Sequence, residues 1–294
     1  MRSYDVSNES LNFVAEGIQH KYKSTLVVFV SNKCLSICDH CFRKRIFEDN
    51  HLELDKIAKI EDVINYLNEH KEINSILLTG GDAFLSDVEY LNELLIKLNQ
   101  IEHVLTIRLG TRALVQNSEI FYKFEKIFTS HKINKFLHII YHILTPNEIT
   151  EDLINFNKSN RHIFNFKSQT PLLNTINANS NILAELWEKL LIANIEPYYV
   201  FQCRPVKGNE KYCLPFRSGF DIFEKSKKNI SGIGKTAKMI MSCDAGKLEF
   251  VCKYNGSSVI LKFHQARKEE DLGTTFMAPN DAIWYSNGDF VYEK

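Results

Sequence analysis

The chain has 294 residues and a mass of 34.1 kDa, which suits one large domain, or one domain with a small appendage. Its 36 Lys and Arg offset 36 Asp and Glu, and a net charge of +0 withholds the electrostatic drive behind nucleic-acid and anionic-membrane binding. Hydrophobic residues at 44% suffice for a core, while the polar start MRSYDVSNES and a longest greasy run of only LVVFV predict a soluble, cytoplasmic protein with no membrane span.

Short apolar runs alternate with helical patterns along the chain, which predicts βαβ units and a parallel sheet. The first predicted strand, Leu26 to Ser31, leads into CLSICDHC, where Cys34, Cys38 and Cys41 stand in a C-x3-C-x2-C pattern. Seven cysteines, three of them bunched, argue against a disulfide framework and for a metal or cluster, because neighbouring thiolates repel unless a cation sits among them. Zinc wants a fourth ligand, and His40 is too constrained by adjacency to supply it. An iron–sulfur cluster held by three thiolates leaves one iron open for coordination. The residues alone leave both chemistries standing.

The second predicted strand, Ser75 to Leu78, runs into TGGD at 79–82, which by itself reads as a turn. Asp87 to Gln100 then places Val88, Leu91, Leu94, Leu95 and Leu98 on one helical stripe, with Ser86 and Asp87 as N-cap and first-turn acid. Further strands are predicted at Val104 to Leu109, Lys135 to Tyr141, Ile163 to Lys167 and Pro197 to Gln202. A second amphipathic helix spans Ile182 to Ile195, with Asn181 as its cap. Six such units suit a partial β/α barrel or a doubly wound sheet, and periodicity does not choose between them. After Arg204 the rhythm changes to a helix near Phe220 to Lys228, then a hairpin of Leu248 to Lys253 with Val259 to Phe263 across KYNGSS. The division expected is a core with an N-terminal extension at 1–204 and a small C-terminal α+β appendage at 205–294. SGIGKT at 231–236 mimics a phosphate loop, but that pattern needs glycine where Asn229 stands, so a nucleoside triphosphatase is not expected.

The cysteine loop behind a first strand resembles the radical S-adenosylmethionine superfamily, where the cofactor's amino and carboxylate groups chelate the open iron. Collinear segments narrow the likeness. HKYKSTLVVFVSNKCLSICDHCFRKR at 20–45, LLTGGDAF at 77–84, IRLGTR at 107–112, QTPLLNTIN at 169–177, EPYYVFQCR at 196–204 and GKLEF at 246–250 are similar to lysine 2,3-aminomutase and its relatives. The resemblance implies a partial (β/α)6 barrel closed by the appendage, a 4Fe–4S cluster on Cys34, Cys38 and Cys41, S-adenosyl-L-methionine, and pyridoxal 5′-phosphate. It puts His40 where a ring packs near the adenine, Gly80, Gly81 and Asp82 in a Gly-Gly-acid motif beside the methionine moiety, and Gln169 near the cofactors.

By the same likeness, Arg43 matches the arginine that anchors the substrate's α-carboxylate, a job that suits a planar fork. Lys247 matches the lysine that forms the internal aldimine, although the glycine-rich loop before it is shortened here to SCDAGK. Lysine-using members hold the side-chain ammonium with two aspartates. Those positions here are Arg204 and Ser242, or Asp244 if the gap is placed differently. An arginine facing an ammonium repels it, so the expected substrate is an amino acid other than lysine, glutamate first. Arg204 has Glu210 or Asp244 as alternative partners, and Arg108 and Arg112 meet phosphate or carboxylate groups or form surface salt bridges. The implied reaction is an isomerase's: an electron donor such as flavodoxin or ferredoxin reduces the cluster, a 5′-deoxyadenosyl radical takes hydrogen from the β-carbon, and nitrogen moves from C2 to C3. Relatives of this kind associate, which implies a homo-oligomer. Two alternatives stay open: an enzyme of the same type without pyridoxal phosphate that performs another hydrogen abstraction, and a non-catalytic metal-binding module.

Overall fold

The computed structural model describes residues 3–47, 55–130 and 133–292. Twelve strands form one sheet in which spatial order follows chain order. The chain opens with an antiparallel meander of β1 (Phe13–Ala15), β2 (Ile18–Tyr22) and β3 (Thr25–Ser31). From β3 the sheet is parallel through β4 (Ser75–Gly80), β5 (Thr106–Thr111), β6 (Phe136–His142), β7 (Phe164–Leu172), β8 (Glu196–Gln202) and β9 (Lys238–Ser242). It ends antiparallel with β10 (Gly246–Tyr254), β11 (Ser258–Ala266) and β12 (Thr275–Pro279), and β13 (Ala282–Ser286) pairs with β14 (Asp289–Tyr292) as a separate hairpin. The result is a mixed α/β fold with a large parallel sheet.

Parallel neighbours need crossovers, and helices supply them. They are α1 (Ile60–Glu69), α2 (Val88–Gln100), α3 (Ala113–Gln116), α4 (Glu125–Ser130), α5 (Glu151–Asn160), α6 (Ser180–Ile192) and α7 (Phe216–Ser226). The predicted stripe on α2 is real: Leu91, Leu94, Leu95 and Leu98 are buried, and the Asp87 side chain accepts from the Tyr90 N–H at 2.9 Å. Ser86 does not cap this helix; its hydroxyl donates to the Val30 carbonyl at 2.7 Å. On α6 the cap is Asn179, whose Oδ1 accepts from the Asn181 N–H at 2.8 Å, so the helix begins before the position read from sequence. Trp187 on α6 is 1% exposed and meets Phe223 of α7 edge-on at 5.6 Å. Trp187→Ala is expected to cost about 3–5 kcal/mol, read as a lower denaturant midpoint with an unchanged slope.

Along β4 and β5 alternate residues are sealed under the helices, which leaves Leu77, Thr79, Arg108 and Gly110 on the other, partly open face. The sheet curls far enough to bring β2 beside β9 and β10. Lys21 on β2 donates to the Cys243 carbonyl beyond β9, and the Lys247 ammonium on β10 lies 5.5 Å from the ring centre of Tyr22 on β2. Among the described residues no helix is long and apolar enough to cross a membrane.

Candidate active site

The loop after β3 is fixed by the strand beside it. The Gly81 N–H donates to the Ser31 carbonyl at 2.7 Å and the Asp82 N–H to the Lys33 carbonyl at 2.8 Å. A Cβ on Gly81 would lie 2.3 Å from the Lys33 oxygen, and one on Gly80, at φ +111°, would lie 2.4 Å from the Ser31 oxygen. The glycine pair therefore lets two backbones touch at the root of the cysteine loop. Asp82, expected beside an ammonium group, spends its carboxylate on the protein. It accepts from Thr111 Oγ1 at 2.8 Å and from the N–H groups of Phe84, Arg112 and Ala113 at 3.1, 2.7 and 2.8 Å, pinning the start of α3.

Cys34, Cys38 and Cys41 are partly exposed thiols, with the Cys41 N–H turned onto the Cys38 carbonyl at 2.9 Å. Burial pushes the Cys34 thiol up to about 12, with Asp82 and the other two cysteines adding to it. Burial raises Cys38 and Cys41 as well. Thiols this reluctant to ionise bind as thiolates only when a metal displaces the proton. Among the described residues no three His, Cys, Asp or Glu side chains converge on a point that one ion would take. A four-iron cluster asks for thiolates spread over different irons, and a set of three cysteines on one loop fits that demand.

Beside the loop, His40 Nε2 sits 3.3 Å from His142 Nε2, with the Tyr212 ring edge-on to His40. Burial lowers His40 to about 4 and His142 well below its ordinary value, and Arg112 adds to both, so at neutral pH one uncharged ring donates to the other. Residues paired across strands share a face, which puts His142, Gln169 and Tyr199 in one row over β6, β7 and β8. The Asn209 amide donates to the carbonyls of His40 and Arg204 at 2.9 and 3.3 Å, tying the cysteine loop to the segment after β8.

The predicted anchors Arg43 and Arg204 come together through an acid with no sequence signature. The Glu9 carboxylate lies 3.6 Å from Arg43 Nε, 2.9 Å from Arg45 Nη2 and 3.1 Å from Arg204 Nη1. Arg204 thus pairs with Glu9 and not with Glu210 or Asp244. Burial would raise the Glu9 carboxyl, but the guanidinium groups of Arg43, Arg204 and Arg45 outweigh it and hold it well below the usual carboxylate range. Arg45 is held a second time by Asp55, through Nε at 3.0 Å and Nη2 at 3.1 Å. Arg43 and Arg204 stack on Phe42, 5.0 and 4.1 Å from its ring centre, and the buried Arg43 Nε has no hydrogen-bond partner.

Lys247 lies on β10, its ammonium 5.1 Å from the ring centre of Tyr199. Ser242 is its cross-strand partner on β9, and the Ser242 carbonyl accepts from the Ser7 hydroxyl at 3.3 Å. Burial, with Arg108, Lys21 and Arg204 adding, lowers Lys247 to about 7. Lys21, half-buried like Lys247, is lowered to about 8, with burial the largest cause. Arg108 is not a surface salt bridge: its Nε and Nη2 are buried and unpartnered. Arg112, in contrast, is satisfied by Glu148 Oε1 at 2.5 Å and the His142 carbonyl at 3.2 Å. The buried Tyr22 hydroxyl, beside Ser242, meets no partner at hydrogen-bonding geometry. A near-neutral amine flanked by cations with spare N–H groups fits an aldehyde that carries a phosphate.

No family model matches the chain. A protein of Aquifex aeolicus (strain VF5), provisionally named L-lysine 2,3-aminomutase, is 31% identical over 297 residues, covering 96% of this chain and 77% of its own length. Glutamate 2,3-aminomutase of Clostridioides difficile (strain 630) is 32% identical over 238 residues, or 78% of this chain and 54% of its own. L-lysine 2,3-aminomutase of Clostridium subterminale is 28% identical over 236 residues, with the same two shares of 78% and 54%. The chain thus spans just over half the length of these last two relatives. On the first relative's identity and coverage, the chain belongs to the radical S-adenosylmethionine lysine 2,3-aminomutase-like family, which is a family of enzymes.

Proposed function

We propose that this chain is a 2,3-aminomutase that moves an α-amino group to the β-carbon of an amino acid other than lysine, on a partial (β/α)6 barrel that residues 205–294 close. The observation that carries the reading is Lys247, a half-buried amine lowered toward neutrality where β10 meets Tyr22 and Tyr199. Relatives named for lysine and for glutamate support the amine shift and leave the side chain open.

Cys34, Cys38 and Cys41 would hold the cluster, with His40, Gln169 and the Gly80–Gly81 turn bordering S-adenosylmethionine. When bound, these groups supply a radical that abstracts hydrogen, and pyridoxal phosphate supplies an aldehyde that carries nitrogen from C2 to C3. Asp82 acts through the protein by fixing the loop against α3. Lys247 offers an unprotonated lone pair to the aldehyde carbon. Arg108 and Lys21 would offset the phosphate charge, and the Arg43 guanidinium would hold the substrate's α-carboxylate. A side-chain ammonium here would meet Arg204 and Lys21, while the acid at hand, Glu9, already serves three guanidinium groups.

The test is turnover by anaerobically reconstituted protein with S-adenosylmethionine, pyridoxal phosphate, dithionite and a panel of neutral amino acids, glutamate and lysine. A β-amino acid that forms only when S-adenosylmethionine and pyridoxal phosphate are both present, and none from lysine, is the expected result. Cofactor cleavage without a β-amino acid anywhere in the panel would favour a radical enzyme that does not use pyridoxal phosphate.

A further inference from the structure

We propose that Glu9 is a specificity-determining residue: it occupies the guanidinium group that would otherwise read a second substrate carboxylate, so the pocket takes an amino acid with one carboxylate and an uncharged side chain. The proposal rests on the reading above for one point, that Arg43 is the carboxylate anchor.

Glu9 precedes the sheet, and its segment is strapped in place. The Lys207 N–H donates to the Ser3 carbonyl at 3.2 Å, the Ser286 hydroxyl to the Val6 carbonyl at 3.0 Å, and the Ser7 hydroxyl to the Ser242 carbonyl at 3.3 Å. Farther along, Arg267 Nη2 donates to Asn12 Oδ1 at 2.5 Å. These tethers reach four separate parts of the fold and set the strap next to Ser242, the neighbour of Lys247. Glu9 itself is 5% exposed.

Its two oxygens are divided. Oε1 takes Arg204 Nη1 at 3.1 Å, while Oε2 takes Arg45 Nη2 at 2.9 Å and stands 3.6 Å from Arg43 Nε, beyond hydrogen-bond range. Arg45 is engaged by both Asp55 and Glu9 through Nε and Nη2. Three guanidinium groups therefore face two carboxylates, and the one positive charge left over belongs with Arg43, which lies over the rings of Phe29 and Phe42 and makes one long hydrogen bond, 3.4 Å to Thr79 Oγ1. One spare cation matches one carboxylate. A second carboxylate at Arg204 would have to displace Glu9 or sit against its charge in a poorly solvated pocket. A glutamate side chain, the sequence-based expectation for Arg204, meets Glu9 first.

Carboxylates without an amine separate the arginines from Lys247. In calorimetric titrations of anaerobically reconstituted protein loaded with pyridoxal phosphate, whose phosphate engages Arg108, the wild type should bind propionate and glutarate within about threefold of each other, because one guanidinium is then on offer. Glu9→Gln should bind glutarate about tenfold tighter with propionate little changed, and adding Arg204→Gln should erase that gain. A wild type that binds glutarate tenfold tighter than propionate would overturn the proposal without any variant. So would Glu9→Gln protein with intact cluster absorbance and an unchanged preference. Failure of the aminomutase reading shows elsewhere, as missing β-amino acid product, so the two failures are distinguishable.

Discussion

Cys38→Ala protein is expected to purify without the broad visible absorbance of an iron–sulfur cluster and to cleave no S-adenosylmethionine, a loss to background in both measurements. The expectation follows from the loop's chemistry. Cys34, Cys38 and Cys41 share one short loop, burial raises each thiol so that a metal must displace its proton, and a cluster held by three thiolates loses one of its irons' ligands when Cys38 is removed. Cys252→Ala serves as the control, since that thiol is exposed on β10, and it should keep both properties. Retention of absorbance and cleavage by Cys38→Ala would remove the cluster from this loop.

The second large effect is at Lys247. Lys247→Ala should abolish retention of pyridoxal phosphate and amine transfer together, and Lys247→Arg should not rescue either, because a guanidinium stays protonated at any accessible pH. The pH dependence of adduct formation in the wild type gives an independent check. With Lys247 lowered to about 7 by burial, Arg108, Lys21 and Arg204, the free-amine fraction rises through pH 7 and levels off above it. An ordinary lysine, near 10.5, would keep gaining across that whole range. Linkage fixes the sign for stability. The unfolded chain holds the lysine proton up to its ordinary value while the folded chain has released it, so this group makes stability rise with pH between about 7 and 10.5. A rate that climbs without a plateau would mean that the amine is not held near neutrality.

Much of this was legible in the sequence because burial writes a period. The six central strands and helices α2 and α6 appear as apolar runs and stripes, each sealed on one face by its neighbours. The cysteine loop is legible because three thiols at that spacing have few other uses. What the sequence hid depends on distant chain. β2, Ile18–Tyr22, sends Ile18 to the core but mixes in Gln19, His20 and Lys21, of which His20 contacts Tyr66 and Lys21 the Cys243 carbonyl. For Arg108 the sequence leaves an anion contact and a surface salt bridge equally open, and only the fold, which buries its Nε and Nη2, separates them. Glu9 carries no motif at all; only the strap that brings it to Arg43 and Arg204 gives it a meaning, and with it a different account of Arg204.

The central claim is that Lys247 is the lysine that meets the aldehyde. Borohydride reduction of anaerobically reconstituted protein with pyridoxal phosphate, followed by peptide mass mapping, tests it most directly. The account predicts a pyridoxyl group on Lys247 alone, although Lys21 is a second half-buried amine lowered to about 8. Modification of Lys21 in its place, or no adduct in protein whose cluster is intact, would contradict it.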